Sequence, residues 1–250
     1  LVLLYVSCNE SGMGIFYSIS REQPIEDTTL PNNLSVSGMV KGTSKYYVCA
    51  GGLYSREISA GQSAAWDDAV KMPDDYALCL ALVEFDGNFY GLFSNIDGDS
   101  TQVFRTPRNT IDWTAVGSFS ANIVSLVACD IAFFVTESTA PSTFVTTASS
   151  DGTNFDTTLD FPNRVTDAVN FSSDNWVIAG SRLYSGSGAT YTEVSPSGDT
   201  SSSTTFGGLF FSDTLSCLFV SDSAGYVYAT ADGSSWDQAS VSTETGDPVV

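Results

Sequence analysis

Short apolar runs, cut by polar and glycine-containing breaks, set the pattern of this chain. NIVSLVA, NWVIAG, RLYSGS, FGGLFFS, SCLFVSD and GYVYATA each extend for six or seven residues before Ser, Asp, Asn or Gly interrupts them. Runs of that length suit β-strands, and no window sustains the 3.6-residue apolar period of an amphipathic helix. Aromatic residues at 12% and abundant Ser and Thr point the same way. The pattern predicts an all-β fold without a long helix.

The breaks carry a repeat. ASSDGTNFDT (148–157) aligns with ATADGSSWDQ (229–238), matching Asp151 with Asp232, Gly152 with Gly233 and Phe155 with Trp236. Asp-Gly is tight-turn chemistry: Asp bonds nearby amides and Gly takes positive φ. The aromatic then opens an outer strand and packs over the hairpin. Extending the register gives anchors at Ile25, Trp66, Trp113, Phe155, Tyr191 and Trp236, about 42 residues apart.

Upstream of the anchors lie further strand-like runs, so each unit reads as four strands. A period of 40 to 50 residues in an all-β chain is the mark of propeller blades. The expected architecture is one domain over residues 1–250, a six-bladed β-propeller of four-stranded antiparallel blades. LLYVSCNESGMGIFYSIS aligns with CLFVSDSAGYVYATA and supplies the second strand of blade one. The C-terminal ETGDPVV then closes the ring with the N-terminus. The competing reading of LVLLYVSCNE is the tail of a signal peptide with Cys8 as a lipidated cysteine, although no basic stretch precedes it.

On these turns the chain resembles the Asp-box, or BNR-repeat, β-propellers, the group that includes sialidases and non-catalytic relatives. The resemblance implies that Asp151-Gly152 and Asp232-Gly233 are structural turns remote from any active face. A sialidase-like site would need three arginines converging on a carboxylate, because a planar guanidinium holds that group bidentately. Arg21, Arg56, Arg105, Arg108 and Arg182 belong to third strands, their entry or the following turn, and Arg164 alone enters an inner strand. The resemblance therefore implies a non-catalytic relative.

Nine Lys and Arg against 29 Asp and Glu give a formal charge of −20, which repels nucleic acid and anionic lipid. The chain has no His, so Ser or Cys nucleophiles lack the usual base. Cys49, Cys79, Cys129 and Cys217 sit in apolar runs, as buried free thiols do. No apolar run approaches the ~18 residues of a membrane span. Few Lys and many Ser and Thr suit an exported protein of periplasm or cell surface.

The register gathers acids on the face made by second-to-third-strand loops and blade connections: Glu10, Asp74, Asp75, Asp97, Asp99, Glu137, Asp199, Asp222 and Asp247. Arg164 and Arg182 stand among them. An acidic rim of this kind steers a basic partner. Asn95, Asp97 and Asp99 alternate as in a calcium loop but lack its downstream bidentate Glu, so a turn is their expected role and Ca2+ the one cofactor considered. Tyr76, Tyr90 and Phe161 lie near loop ends, where stacking on a sugar is the alternative to core packing. The expected function is a non-catalytic platform for a protein or other extracellular ligand. The alternatives are a glycan hydrolase using paired carboxylates and a structural ring of a larger exported protein.

Overall fold

A computed structural model describes residue 30 and residues 35–60, 65–67, 70–196 and 204–240. Within them, 19 strands form five antiparallel sheets in chain order. Blade one holds β1 (Gly38–Lys41), β2 (Lys45–Ala50) and β3 (Gly52–Glu57), with a single further bridge from Ser55 to Asp67. Blade two runs β4 (Tyr76–Phe85), β5 (Asn88–Asn95), β6 (Thr101–Pro107) and β7 (Thr114–Ala115). Blade three comprises β8 (Asn122–Cys129), β9 (Ala132–Ala140), β10 (Thr143–Ser149) and β11 (Thr157–Leu159). Blade four is β12 (Val165–Phe171), β13 (Asp174–Ala179), β14 (Arg182–Ser187) and β15 (Thr190–Val194). Blade five is β16 (Phe206–Ser212), β17 (Cys217–Asp222), β18 (Tyr226–Thr230) and β19 (Asp237–Ser240). Each sheet packs face to face on the next, and the inner strands β4, β8, β12 and β16 are neighbours. This is a β-propeller.

The expectation of six blades is corrected to five among the described residues. The register counted residues 1–29 as a blade on strand-like runs and Ile25, with ETGDPVV closing it from the C-terminus. A period alone does not supply the four paired strands that a sheet needs to fill its wedge against two neighbours. Ile25, Cys8, Glu10, Asp199, Asp247 and the ring-closing segment ETGDPVV lie outside the described residues.

Burial explains why the second strands are the most apolar. In β5, Phe89 and Phe93 face blade one while Tyr90 and Leu92 face blade three. In β9, Phe133 and Val135 face back and Phe134 faces forward, all with no exposed surface. A strand covered on both sides reads as a continuous apolar run, as in AFFV (132–135) and WVIA (176–179). By contrast β17 alternates: Leu218 and Val220 pack on blade four, while Cys217, Phe219 and Ser221 point the other way and are half-buried. Phe210 on β16 is 65% exposed and stacks loosely on Phe219 at 6.3 Å. Blade five thus has one covered and one bare flank among the described residues.

The inner strands of blades two to five share a register shift near the start, between Tyr76 and Leu78, Ile123 and Ser125, Val165 and Asp167, and Phe206 and Gly208. A bulge adds twist and re-aims the following side chain. Ser125 Oγ, just past its bulge, donates to the Val165 carbonyl of the next inner strand. Asp167 Oδ2 accepts from Leu209 N at 2.7 Å on blade five.

Candidate functional site

First strands begin, and second strands end, at one rim of the molecule. At blade two, the connection before β4 and the β5–β6 turn meet there: Ile96 N donates to the Asp75 carbonyl at 3.2 Å. That bond brings the Asp74–Asp75 pair against the Asp97–Asp99 turn. Asp75 has φ of 69°, a conformation that Asp tolerates better than most residues. Asp74 lies 3.5 Å from Lys71, both well exposed.

Asn95 organises the turn itself. Its Oδ1 accepts from the amides of Asp99 and Ser100, each at 3.1 Å, and its Nδ2 donates to Asp99 Oδ1 at 2.7 Å. The Asn95 oxygen and one Asp99 oxygen are therefore engaged in turn closure, which leaves Asp97 outside that network. Among the described residues no group of three or more His, Cys, Asp or Glu is arranged to hold a metal.

The remaining candidates on this rim have other surroundings. Glu137 is buried in β9, where its Oε1 accepts from Ser120 N at 2.6 Å and Ala121 N at 2.7 Å. It fixes the chain entering β8. Asp222 caps the β17–β18 turn, taking Ala224 N and Tyr226 N at 2.9 Å on one oxygen and the Tyr228 hydroxyl at 3.1 Å on the other. Arg164 is exposed just before β12, with its carbonyl accepting from Gly180 N at 2.9 Å. Arg182 pairs with Glu193 at 2.5 Å. Of the candidates, the structure brings the Asp74–Asp75 loop and the Asp97–Asp99 turn together; it uses Glu137 and Asp222 to hold backbone.

The Asp-Gly turns stand at the opposite rim. Asp151 Oδ1 accepts from the amides of Thr153 and Asn154, both at 2.8 Å, and Asp232 Oδ1 from those of Ser234 and Ser235 at 2.8 and 2.7 Å. These bonds, led by those from Asn154 and Ser235, hold both carboxyls well below the usual carboxylate range. Each turn also rests on the preceding blade. A Cβ on Gly152 would lie 2.1 Å from the Tyr90 hydroxyl of blade two, at a φ of 68°.

The anchor aromatics follow the same rule. Trp113 packs between blades one and two, Phe155 between two and three, Tyr191 between three and four, and Trp236 between four and five. Trp66 lies on the first blade's outer flank with Leu30, beside Val48, Ala50 and Tyr54. Tyr90 and Phe161 are core residues at 0% and 4% exposure, and Tyr76 packs edge-on against Phe104 at 4.8 Å.

Two shallow clefts lie away from the acidic rim. One, of about 350 Å³, runs between the β4–β5 and β8–β9 turns and is lined by Glu84, Asp86 and Asp130. The other, of about 340 Å³, lies on the flank of blade one and is lined by Met39, Tyr46, Arg56 and Trp66 among others. Sequence reasoning missed both; the signal for the second was Trp66, an anchor aromatic that lies on the first blade's outer flank with Leu30.

No family model matches the chain, and no curated protein sequence matches it. Many solved structures do. YCF48 from Cyanidioschyzon merolae superposes with a TM-score of 0.57 at 10% identity, over 88% of this chain and 76% of that one. PorZ, a bacterial surface component of the type-IX secretion system of Porphyromonas gingivalis, gives 0.55 at 13% identity over 88% of this chain and 36% of its own length. KlAtg21, solved in complex with the coiled coil of AgAtg16, gives 0.54 at 7% identity over 83% and 70%. At such identities the likeness establishes the fold, a β-propeller, and nothing narrower.

Proposed function

We propose that the protein is a non-catalytic binding platform, an exported propeller akin to the Asp-box group, which recognises a basic segment of a protein ligand on its acidic loop rim. The observation that carries this reading is the contact of Asp75 with Ile96, which sets the loop bearing Asp74 and Asp75 beside the turn bearing Asp97 and Asp99 on blade two. Four carboxylates on a preordered surface attract a cationic ligand and lose little loop entropy when it binds. The reading requires no cofactor. The reading includes export from the cytoplasm; PorZ is a bacterial surface component, and the complex of KlAtg21 with a coiled coil is an instance of protein binding by the same fold. The engagement of Glu137 and Asp222 with backbone amides supports a binding role over paired-carboxylate hydrolysis.

The test compares two variants of equal charge by calorimetric titration with an oligolysine peptide. D74N/D75N/D97N/D99N neutralises the rim, and D86N/D130N/D156N/D213N neutralises the opposite one. The first is expected to weaken binding roughly tenfold and to flatten its salt dependence, and the second by less than about twofold. Equal losses would mean generic charge attraction and overturn the reading.

A further inference from the structure

Cys49 on β2 and Cys79 on β4 meet across the seam between blades one and two. Both thiols are free, and their residues are 0% and 1% exposed in the same apolar cluster. Backbone pins the approach, since Cys79 N donates to the Gly51 carbonyl at 2.9 Å and Gly51 and Cys79 form an isolated bridge. On the other side Ser37 Oγ lies 2.9 Å from Cys49 Sγ, and Ser37 N donates to the Cys49 carbonyl at 2.9 Å. Cys79 Sγ donates to the Ala81 carbonyl at 3.7 Å, and the proximity of the two thiols lowers Cys49 and, together with burial, raises Cys79 from the ordinary thiol value. Cys129 bonds instead to the Ala132 carbonyl and Asn175 Oδ1, at 3.5 and 3.4 Å.

We propose that Cys49 and Cys79 form a disulfide that staples blade one to blade two when the chain folds in the presence of a disulfide oxidant. The Cys49 thiolate attacks one sulfur of an oxidant disulfide such as oxidised glutathione and expels one glutathione thiolate. That thiolate takes the Cys79 proton, the Cys79 sulfur attacks Cys49 Sγ in the mixed disulfide, and the second glutathione thiolate, now expelled, takes up a proton equivalent to the one Cys49 released to water on ionising. Two protein thiols become one disulfide, and one glutathione disulfide becomes two glutathione thiols. Because the pair is buried, exchange takes place while the seam is open, and the closed seam then shields the bond from reductant.

The experiment refolds the reduced full chain with oxidised glutathione, and in parallel incubates the native protein with it. Both are then alkylated with iodoacetamide under denaturing conditions and mapped by mass spectrometry. The expected result is a Cys49–Cys79 linked peptide, two hydrogen masses lighter, with Cys129 and Cys217 alkylated. The oxidised chain should melt roughly 5 to 10 °C above the reduced one. That difference should vanish in C79S and persist in C129S. Full alkylation of both thiols in both arms, pairing with another cysteine, or an oxidised-minus-reduced difference retained in C79S would each overturn the proposal.

Discussion

Single residues at the blade seams set sharp requirements. Gly152 combines positive φ with contact against the Tyr90 ring of the preceding blade, so Gly152→Ala should destabilise by about 2–3 kcal/mol in urea unfolding; an unchanged midpoint would contradict that packing. Asp167 is the counter-example to the exposed turn aspartates. Burial pushes its carboxyl up, against the amides of Leu209 and Ala168 that favour the charge. Asp167→Asn keeps an oxygen acceptor and removes the buried charge, so its melting temperature at pH 7 should match or exceed the parent's, whereas Asp167→Ala leaves Leu209 N unpaired and should cost about 1–3 kcal/mol. If both variants lose equally, the link between blades four and five depends on the charge itself. Asp151 and Asp232 act in the opposite sense. Their folded values lie below the unfolded carboxylate, so their stabilisation is present above about pH 4 and is lost as the pH falls below it. D151N/D232N should therefore flatten the fall in melting temperature between about pH 5 and pH 3; an unaltered slope would show that those bonds do not discriminate between folded and unfolded chains.

At the scale of elements, the aromatic after each turn is the part of the repeat that does the most. It was legible as a spacing, and Trp113, Phe155, Tyr191 and Trp236 do stand where outer strands begin. Its packing onto the preceding blade was not legible, because a side chain's partner across a seam is a non-local fact. Trp236 and Trp176 meet edge to face at 5.6 Å. A double-mutant cycle with Trp176→Leu and Trp236→Leu should show a coupling of about 1 kcal/mol, and additivity would contradict the contact. The bulges were hidden for a different reason. They displace the register by one residue, so Ser125 and Asp167 leave the simple alternation and reach the next inner strand. Glu137 did carry a signal. In FFVTE the alternation puts Phe133, Val135 and Glu137 on one buried face, and a carboxylate there is one that backbone amides must satisfy. The acidic rim was readable as loop composition, but the apposition of its two loops depends on the Asp75 to Ile96 bond.

For the whole molecule, the repeat sets the architecture, and counting a blade for each of the six anchors gave one more than the five sheets of the described residues. Sheets one to four are sandwiched or covered, with Val48, Ala50 and Tyr54 buried on the outer side of blade one. Blade five keeps Phe210 exposed on its far side. The account stands on sheets stacked side by side, each second strand lying deepest. Hydrogen exchange followed by mass spectrometry tests this most directly, since opening free energy tracks burial of the strand ladder. Protection should peak in β5, β9 and β13, recurring with the blade period, and β17 should exchange faster than those three. Protection without that period, or β17 as slow as β9, would contradict it.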